Sequence, residues 1–196
     1  MTRALAGLGV LAVLAAGCGG SATRPATTSV PSSYRGLLLK PSLQAVDFAL
    51  RDQAGSVVRL SSFRGGYVIV TFLYTHCPDV CPLIANQLAA ALRRLGPDVH
   101  VLAVSVDPRR DTRAAVRRFV RQHRLGPRFR YLTGTHAQLA RVWSAYHVAA
   151  SPDGTAVDHS AFELLVDRGG RGVLIWDARV QAADVVHDLR ELERSG

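Results

Sequence analysis

Residues Tyr67–Tyr74 read Tyr-Val-Ile-Val-Thr-Phe-Leu-Tyr, and no other stretch of the chain constrains its fold so tightly. β-Branched and aromatic residues follow one another with no polar alternation, so both faces of the strand they form must be covered. A strand covered on both faces belongs inside a sheet with helices on each side. The run leads directly into His76-Cys77-Pro78-Asp79-Val80-Cys81-Pro82. From Pro82 onward the pattern is helical, with an apolar stripe of Leu83, Leu88, Leu92 and Leu95 that Gly96-Pro97 ends. Two thiols therefore sit where a buried strand hands over to a helix, the end of the strand at which open α/β sheets gather their sites.

The remaining pattern agrees. Ala45–Leu50 and Val57–Leu60 flank the turn Asp52–Ser56 and predict an N-terminal β-hairpin. Val99–Val106 is a second buried strand. The turn Asp107–Thr112 caps a helix that runs to about His123 and stops at Gly126-Pro127. Phe129–Thr133 is a short strand, and a helix opening at Thr135 or His136 carries Leu139, Val142, Trp143 and Tyr146. Ala161–Asp167 and Gly172–Asp177 form a hairpin around Arg168–Arg171, and Ala182–Arg194 closes the chain as an amphipathic helix. This order predicts an α/β, thioredoxin-like fold: a central mixed β-sheet flanked by helices, with an N-terminal β-hairpin. A chain of 196 residues has room for one such domain.

Ahead of it, Arg3 precedes an apolar run, Ala4–Ala16, of signal-peptide length and too short to span a bilayer. The run ends in Leu14-Ala15-Ala16-Gly17-Cys18, which resembles a bacterial lipobox, with Ala15 where a leucine is usual. The expected organisation is a lipoprotein signal peptide over residues 1–17, a lipidated Cys18 and flexible tether over 18–40, and the domain over 41–196. An ordinary secretory signal is the other reading. Either one exports the domain; the lipid holds it on the extracytoplasmic face of the cell membrane. The formal net charge is +9, which suits an anionic membrane surface. Arginines occur in every predicted helix, however, so the excess reads as a compositional bias. No nucleic-acid-binding motif accompanies it, and no nucleic-acid partner is expected.

After export Cys77 and Cys81 are the remaining thiols. A C-x-x-x-C spacing in a helix sets the two Cβ atoms about 5–6 Å apart, wider than the roughly 3.5–4.5 Å of a disulfide. That favours two thiolates converging on one metal, although a distorted first turn still permits a disulfide. The helix N-terminus lowers thiol pKa values and favours thiolate, and Pro78 and Pro82 stiffen the loop. A purely structural disulfide across so short a loop stabilises little. A metal needs a third donor. His159, in Asp158-His159-Ser160 at a loop-to-strand junction, ranks first, and His76 beside Cys77 second. His100, His123, His136, His147 and His187 read as surface or capping residues.

Phe72–Pro82 resembles the cysteine motif of the Sco/SenC family of copper chaperones. Ser105–Thr112 resembles that family's second block, and Val157–Leu164 its third. The resemblance covers roughly Leu43 to the end. It implies a thioredoxin-like fold with Cys77, Cys81 and His159 as copper ligands, and a part in maturing the dinuclear copper centre of cytochrome c oxidase. The implied partners are the copper-bearing subunit of that oxidase, a copper donor protein, and the membrane through lipid on Cys18. The donor set agrees: two thiolates and an imidazole suit Cu(I) and also hold Cu(II), whereas zinc prefers a fourth ligand. Asp79 and Asp158 either orient a ligand or cap their loops. Asp107, Arg109 and Asp111 read as turn and cap residues, with Asp107 also supporting the site. Two functions share the cysteines: copper delivery, and a thiol–disulfide reductase in which Cys77 and Cys81 are the redox pair. Neither turns over a small substrate. His159 separates them, because a chelator needs it and a dithiol reductant does not.

Overall fold

The structure, a computed structural model, describes residues 33–149 and 162–195. The signal peptide, Cys18, most of the tether, and Asp158 and His159 lie outside the described residues. In chain order the elements are β1 (Leu37–Gln44), β2 (Ala49–Arg51), β3 (Val57–Arg59), a 3-10 turn (Leu60–Phe63), β4 (Tyr67–Leu73), α1 (Val80–Leu92), β5 (Val99–Ser105), α2 (Arg113–Gln122), β6 (Phe129–Leu132), α3 (His136–Ala145), β7 (Phe162–Val166), β8 (Arg171–Asp177) and α4 (Ala182–Ser195).

Six strands form one sheet in the order β1-β8-β7-β4-β5-β6, and β2-β3 is a separate two-stranded hairpin. β4, β5 and β6 run parallel. β7 is antiparallel to β4, and β8 and β1 continue the sheet antiparallel. This is the mixed, helix-flanked, thioredoxin-like sheet that the element order implied. β4 lies at its centre, buried at every residue, and its side chains alternate between two cores. Ile69 and Leu73 face α1, α2 and α4, with Ile84, Leu88, Val116, Phe119, Val185 and Leu189. Val68, Val70 and Phe72 face α3 and the hairpin, with Leu139, Val142, Trp143, Leu50 and Val58.

Three details differ from the sequence reading. α1 starts at Val80, so its buried stripe is Cys81, Ile84, Ala85, Leu88 and Leu92, while Leu83 is 61% exposed. Strand pairing in the hairpin begins only at Ala49, and Val57–Arg59 gives way to the 3-10 turn at Leu60. β1 begins at Leu37, inside the stretch assigned to the tether. It is an edge strand of mostly exposed residues containing Pro41, so neither hydrophobic alternation nor β-propensity marks it. Its placement is tertiary. A Cβ on Gly36 would stand 2.2 Å from Leu174 Cδ2, so only glycine permits this approach to β8. The buried carboxylate of Asp188 on α4 accepts the N–H groups of Arg35 and Gly36, each at 2.8 Å, and Trp176 Nε1–H at 2.8 Å. No helix among the described residues is long and apolar enough to cross a membrane.

Candidate metal centre

β4 ends at Leu73, and residues 74–79 carry the chain over to α1. Cys77 lies in this loop, half-buried; Cys81 lies in the first turn of α1, fully buried. Both are free thiols. Asp79, at the N-cap position, makes no side-chain cap, and the helix satisfies its first donors on sulfur instead. Cys81 N–H donates to Cys77 Sγ at 3.3 Å, and Asp79 N–H donates to the same atom. Pro82 brings no N–H that needs a partner. The Cys77 sulfur thus fills the role usually taken by a capping serine or aspartate. Because Cys77 precedes the helix, the wide spacing of two helical cysteines is not adopted, and the two sulfurs stand in hydrogen-bonding contact.

The thiols are electrostatically unequal. Burial opposes ionisation of Cys77, but the N–H groups of Cys81 and Asp79, the Cys81 thiol and the Tyr74 hydroxyl together outweigh it and hold Cys77 below the ordinary thiol value. At Cys81 burial pushes the pKa far up, and donation to Cys77 and the Asp111 carboxylate push in the same direction. Burial and its own bond to Cys77 push the Tyr74 hydroxyl up to about 12. Cys77 is therefore the more acidic of the two, the sulfur that more readily forms the thiolate that attacks a disulfide or binds a soft metal. Cys81 gives up its proton only when a metal or a disulfide bond replaces it.

Asp111, 3% exposed, fixes this loop to the sheet. Its Oδ1 accepts Thr75 N–H at 2.8 Å and Thr75 Oγ1–H at 2.7 Å; its Oδ2 accepts Ser105 Oγ–H at 2.6 Å and Tyr131 O–H at 3.0 Å. Burial raises its carboxyl pKa, and these donors partly offset the rise. One buried carboxylate thus ties the cysteine loop to the ends of β5 and β6, and Trp143 Nε1–H clamps the Ser105 carbonyl at 3.0 Å from α3. The supporting role expected of Asp107 belongs to Asp111. Asp107 closes its own turn, accepting Arg110 N–H at 3.2 Å and pairing with Arg110 Nε at 2.5 Å.

Of the residues singled out in the sequence, the fold brings Cys77 and Cys81 together, while His159 and Asp158 fall outside the described residues. His76 is exposed, with Nδ1 3.0 Å from Thr75 Oγ1, and Asp79 is exposed. Among the described residues no group of three His, Cys, Asp or Glu side chains converges, so the donors on view are the two soft thiols. Sequence reasoning missed Tyr74, Thr75, Ser105 and Tyr131. Thr75 and Tyr74 lie inside the cysteine block and Ser105 shares a block with Asp111, so their proximity to the site was there to be read. Tyr131 carried no signal beyond its strand pattern.

The family model described as SCO1/SenC matches residues 39–194. The mitochondrial SCO2 homologue of Bos taurus is 38% identical over 135 residues, 63% of this chain and 50% of that protein, so the chain spans about half the length of that relative. Bradyrhizobium japonicum ScoI, solved with copper bound, is 34% identical with a TM-score of 0.64, covering 75% of this chain and 98% of that one. Apo Sco1 of Thermus thermophilus is 32% identical with a TM-score of 0.68, covering 81% and 96%. Matched from its edge strand to its last helix, the chain belongs to the SCO1/SenC family.

Proposed function

We propose that this protein is a copper metallochaperone that binds one copper ion through Cys77, Cys81 and His159 and passes it to the dinuclear copper site of cytochrome c oxidase. It works from the outer face of the membrane, held there by lipid on Cys18 and by the tether that leads from it to the domain. The observation that carries the reading is the unequal thiol pair at the head of α1: half-buried Cys77, its sulfur accepting the Cys81 N–H at 3.3 Å, is the more acidic, and fully buried Cys81 the less. Two thiolates and an imidazole suit Cu(I) and accommodate Cu(II). Copper is here a cargo, so the site must hold it and also release it. Cys77, half-buried, is the sulfur that an incoming ligand reaches, while buried Cys81 anchors the ion.

The same asymmetry supports a second reading, a thiol–disulfide reductase that keeps the cysteines of the oxidase subunit reduced for metallation. The Cys77 thiolate attacks the partner's disulfide and releases one partner thiol; Cys81 then attacks Cys77 Sγ, so a Cys77–Cys81 disulfide forms, the second partner thiol leaves, and the two electrons of the dithiol pass to the partner. Copper transfer from the loaded, reduced chain to the apo copper-bearing domain of the oxidase subunit, compared with its reduction of the oxidised domain, separates the two. His159→Ala is expected to abolish transfer and spare reduction. Transfer that survives this change removes His159 from the ligand set. Reduction with no transfer from the unaltered chain selects the reductase.

A further inference from the structure

The excess positive charge is not spread over the chain. Residues 109–130 contain nine arginines and one acidic residue, Asp111, a net of +8 of the chain's +9. The other 174 residues carry 15 basic and 14 acidic side chains. A general preference for arginine would distribute the excess; here one turn, one helix and the loop after it hold nearly all of it.

The fold turns this segment into a face. α2 buries Val116 and Phe119 and presents Arg113, Arg117, Arg118 and Arg121 on its opposite side, within an arc of about 140°. All four are exposed, as are Arg109 and Arg124 at its two ends. Some of the nine arginines are committed within the domain. Arg110 pairs with Asp107 and Arg130 with Asp52; Arg113 donates to the Ala54 carbonyl, and Arg128 to those of Leu92 and Gly96. Arg109, Arg117, Arg118, Arg121 and Arg124 form no ion pair among the described residues. The helix would be more stable without this pattern. Arg113, Arg117 and Arg121 repel at i,i+4 spacing, and the first turn contains arginine and no acid, against the helix dipole. A helix face that serves only solubility mixes its signs.

The patch is linked to the thiol site through Asp111. Arg109 and Arg110 occupy the turn that holds Asp111, whose carboxylate accepts from Thr75 two residues before Cys77. α2 lies beside α1, with His123 Nδ1 3.2 Å from Asn86 Oδ1.

We propose that the arginine face Arg109–Arg124 docks an acidic protein surface on the partner that exchanges copper with Cys77 and Cys81; this rests on the copper reading above. Continuity with the thiols favours a protein over a lipid surface, because a partner must come within bonding distance of Cys77. The exposed positions of α2 are arginine, Ala114 and Gln122, with no large apolar side chain to enter a bilayer. Arginine forks suit bidentate carboxylate pairing.

The test measures association of the full chain with the apo domain of the copper-bearing oxidase subunit by calorimetry, across ionic strength, alongside copper transfer. Arg117→Glu/Arg118→Glu/Arg121→Glu is expected to weaken association about tenfold or more at low salt and to flatten its salt dependence. Retained copper stoichiometry shows that the variant folds, and Arg117→Gln/Arg118→Gln/Arg121→Gln is expected to fall between it and the unaltered chain. Arg59→Glu/Arg141→Glu/Arg190→Glu, the same charge change on other faces, is expected to have little effect. Equal weakening by both reversals, or none by the α2 reversal, overturns the proposal whether or not copper moves. Salt-dependent association lost on α2 reversal, with no copper transfer by the unaltered chain, keeps the docking face and removes the delivery reading. Reversal that abolishes binding to vesicles of equal parts phosphatidylglycerol and phosphatidylcholine while sparing the domain makes lipid the occupant and overturns the proposal.

Discussion

Glu163 gives the sharpest test of the packing. It lies on β7 opposite Thr71 of β4, fully buried in the sheet. Its Oε1 meets only Thr71 Oγ1, at 3.4 Å, and Oε2 has no hydrogen-bond partner among the described residues. Burial pushes its pKa from 4.5 up to about 8; the Thr71 hydroxyl opposes the rise and the Asp177 carboxylate adds to it. Between those values the native state keeps a proton that the unfolded chain has lost. Stability therefore falls as pH rises from about 4.5 to about 8, by about 1.4 kcal/mol per pH unit, and is level outside that window. The whole loss is at most about 5 kcal/mol, a large part of the stability of an ordinary domain. Glu163→Gln stays neutral throughout. The difference between variant and wild type is thus expected to be small at pH 4 and to grow in favour of the variant up to about pH 8. At alkaline pH the urea midpoint moves up by about 2 M for a domain of this size. Taking the difference cancels the thiol titrations, which both proteins share. Urea unfolding of the reduced proteins at a series of pH values checks it; a difference independent of pH would mean that Glu163 is solvated or paired in the native state.

The other buried acids and the thiols give three further expectations. Asp111→Ala strands Thr75, Ser105 and Tyr131 donors, so it should cost about 3 kcal/mol in urea unfolding and, by loosening the loop, weaken copper affinity about 10- to 100-fold in chelator competition. Asp188→Ala leaves the Arg35 and Gly36 N–H groups and Trp176 Nε1–H without their acceptor; a loss of about 3 kcal/mol and faster amide exchange along β1 are expected. Iodoacetamide at neutral pH should modify Cys77 at least about tenfold faster than Cys81, read by tandem mass spectrometry; equal rates would contradict the inequality of the two thiols.

Much of the fold was legible because its strongest signals are local. The unbroken apolar run of β4, the Gly-Pro stops after α1 and α2, and the Thr135 cap, which forms a full capping box with Gln138, each announce an element from a few residues. β1 was illegible because its partner is β8 and its anchors are Gly36 and Asp188, more than a hundred residues apart. Leu83 misled because an apolar residue at helical spacing is read as core, whereas α1 begins early and turns it outward. Both cysteines were visible in the site, but the role of the Cys77 sulfur as helix cap depends on a loop path that spacing alone does not give. Asp111 looked like a turn residue because its partners come from three separate elements. Glu163 gave no warning, since a glutamate inside an apolar strand reads as its solvent face. The charge of α2 was visible in composition and read there as bias, because its concentration into one face appears only once Val116 and Phe119 are seen to point inward.

Copper titration of the reduced full chain, followed by elemental analysis and absorption spectroscopy, bears most directly on the thiol pair as a metal site. One copper retained per chain is expected, with a thiolate-to-Cu(II) charge-transfer band that Cys77→Ser and Cys81→Ser each abolish and His159→Ala shifts. A chain that retains no copper after desalting, or whose copper is indifferent to Cys81→Ser, would contradict it.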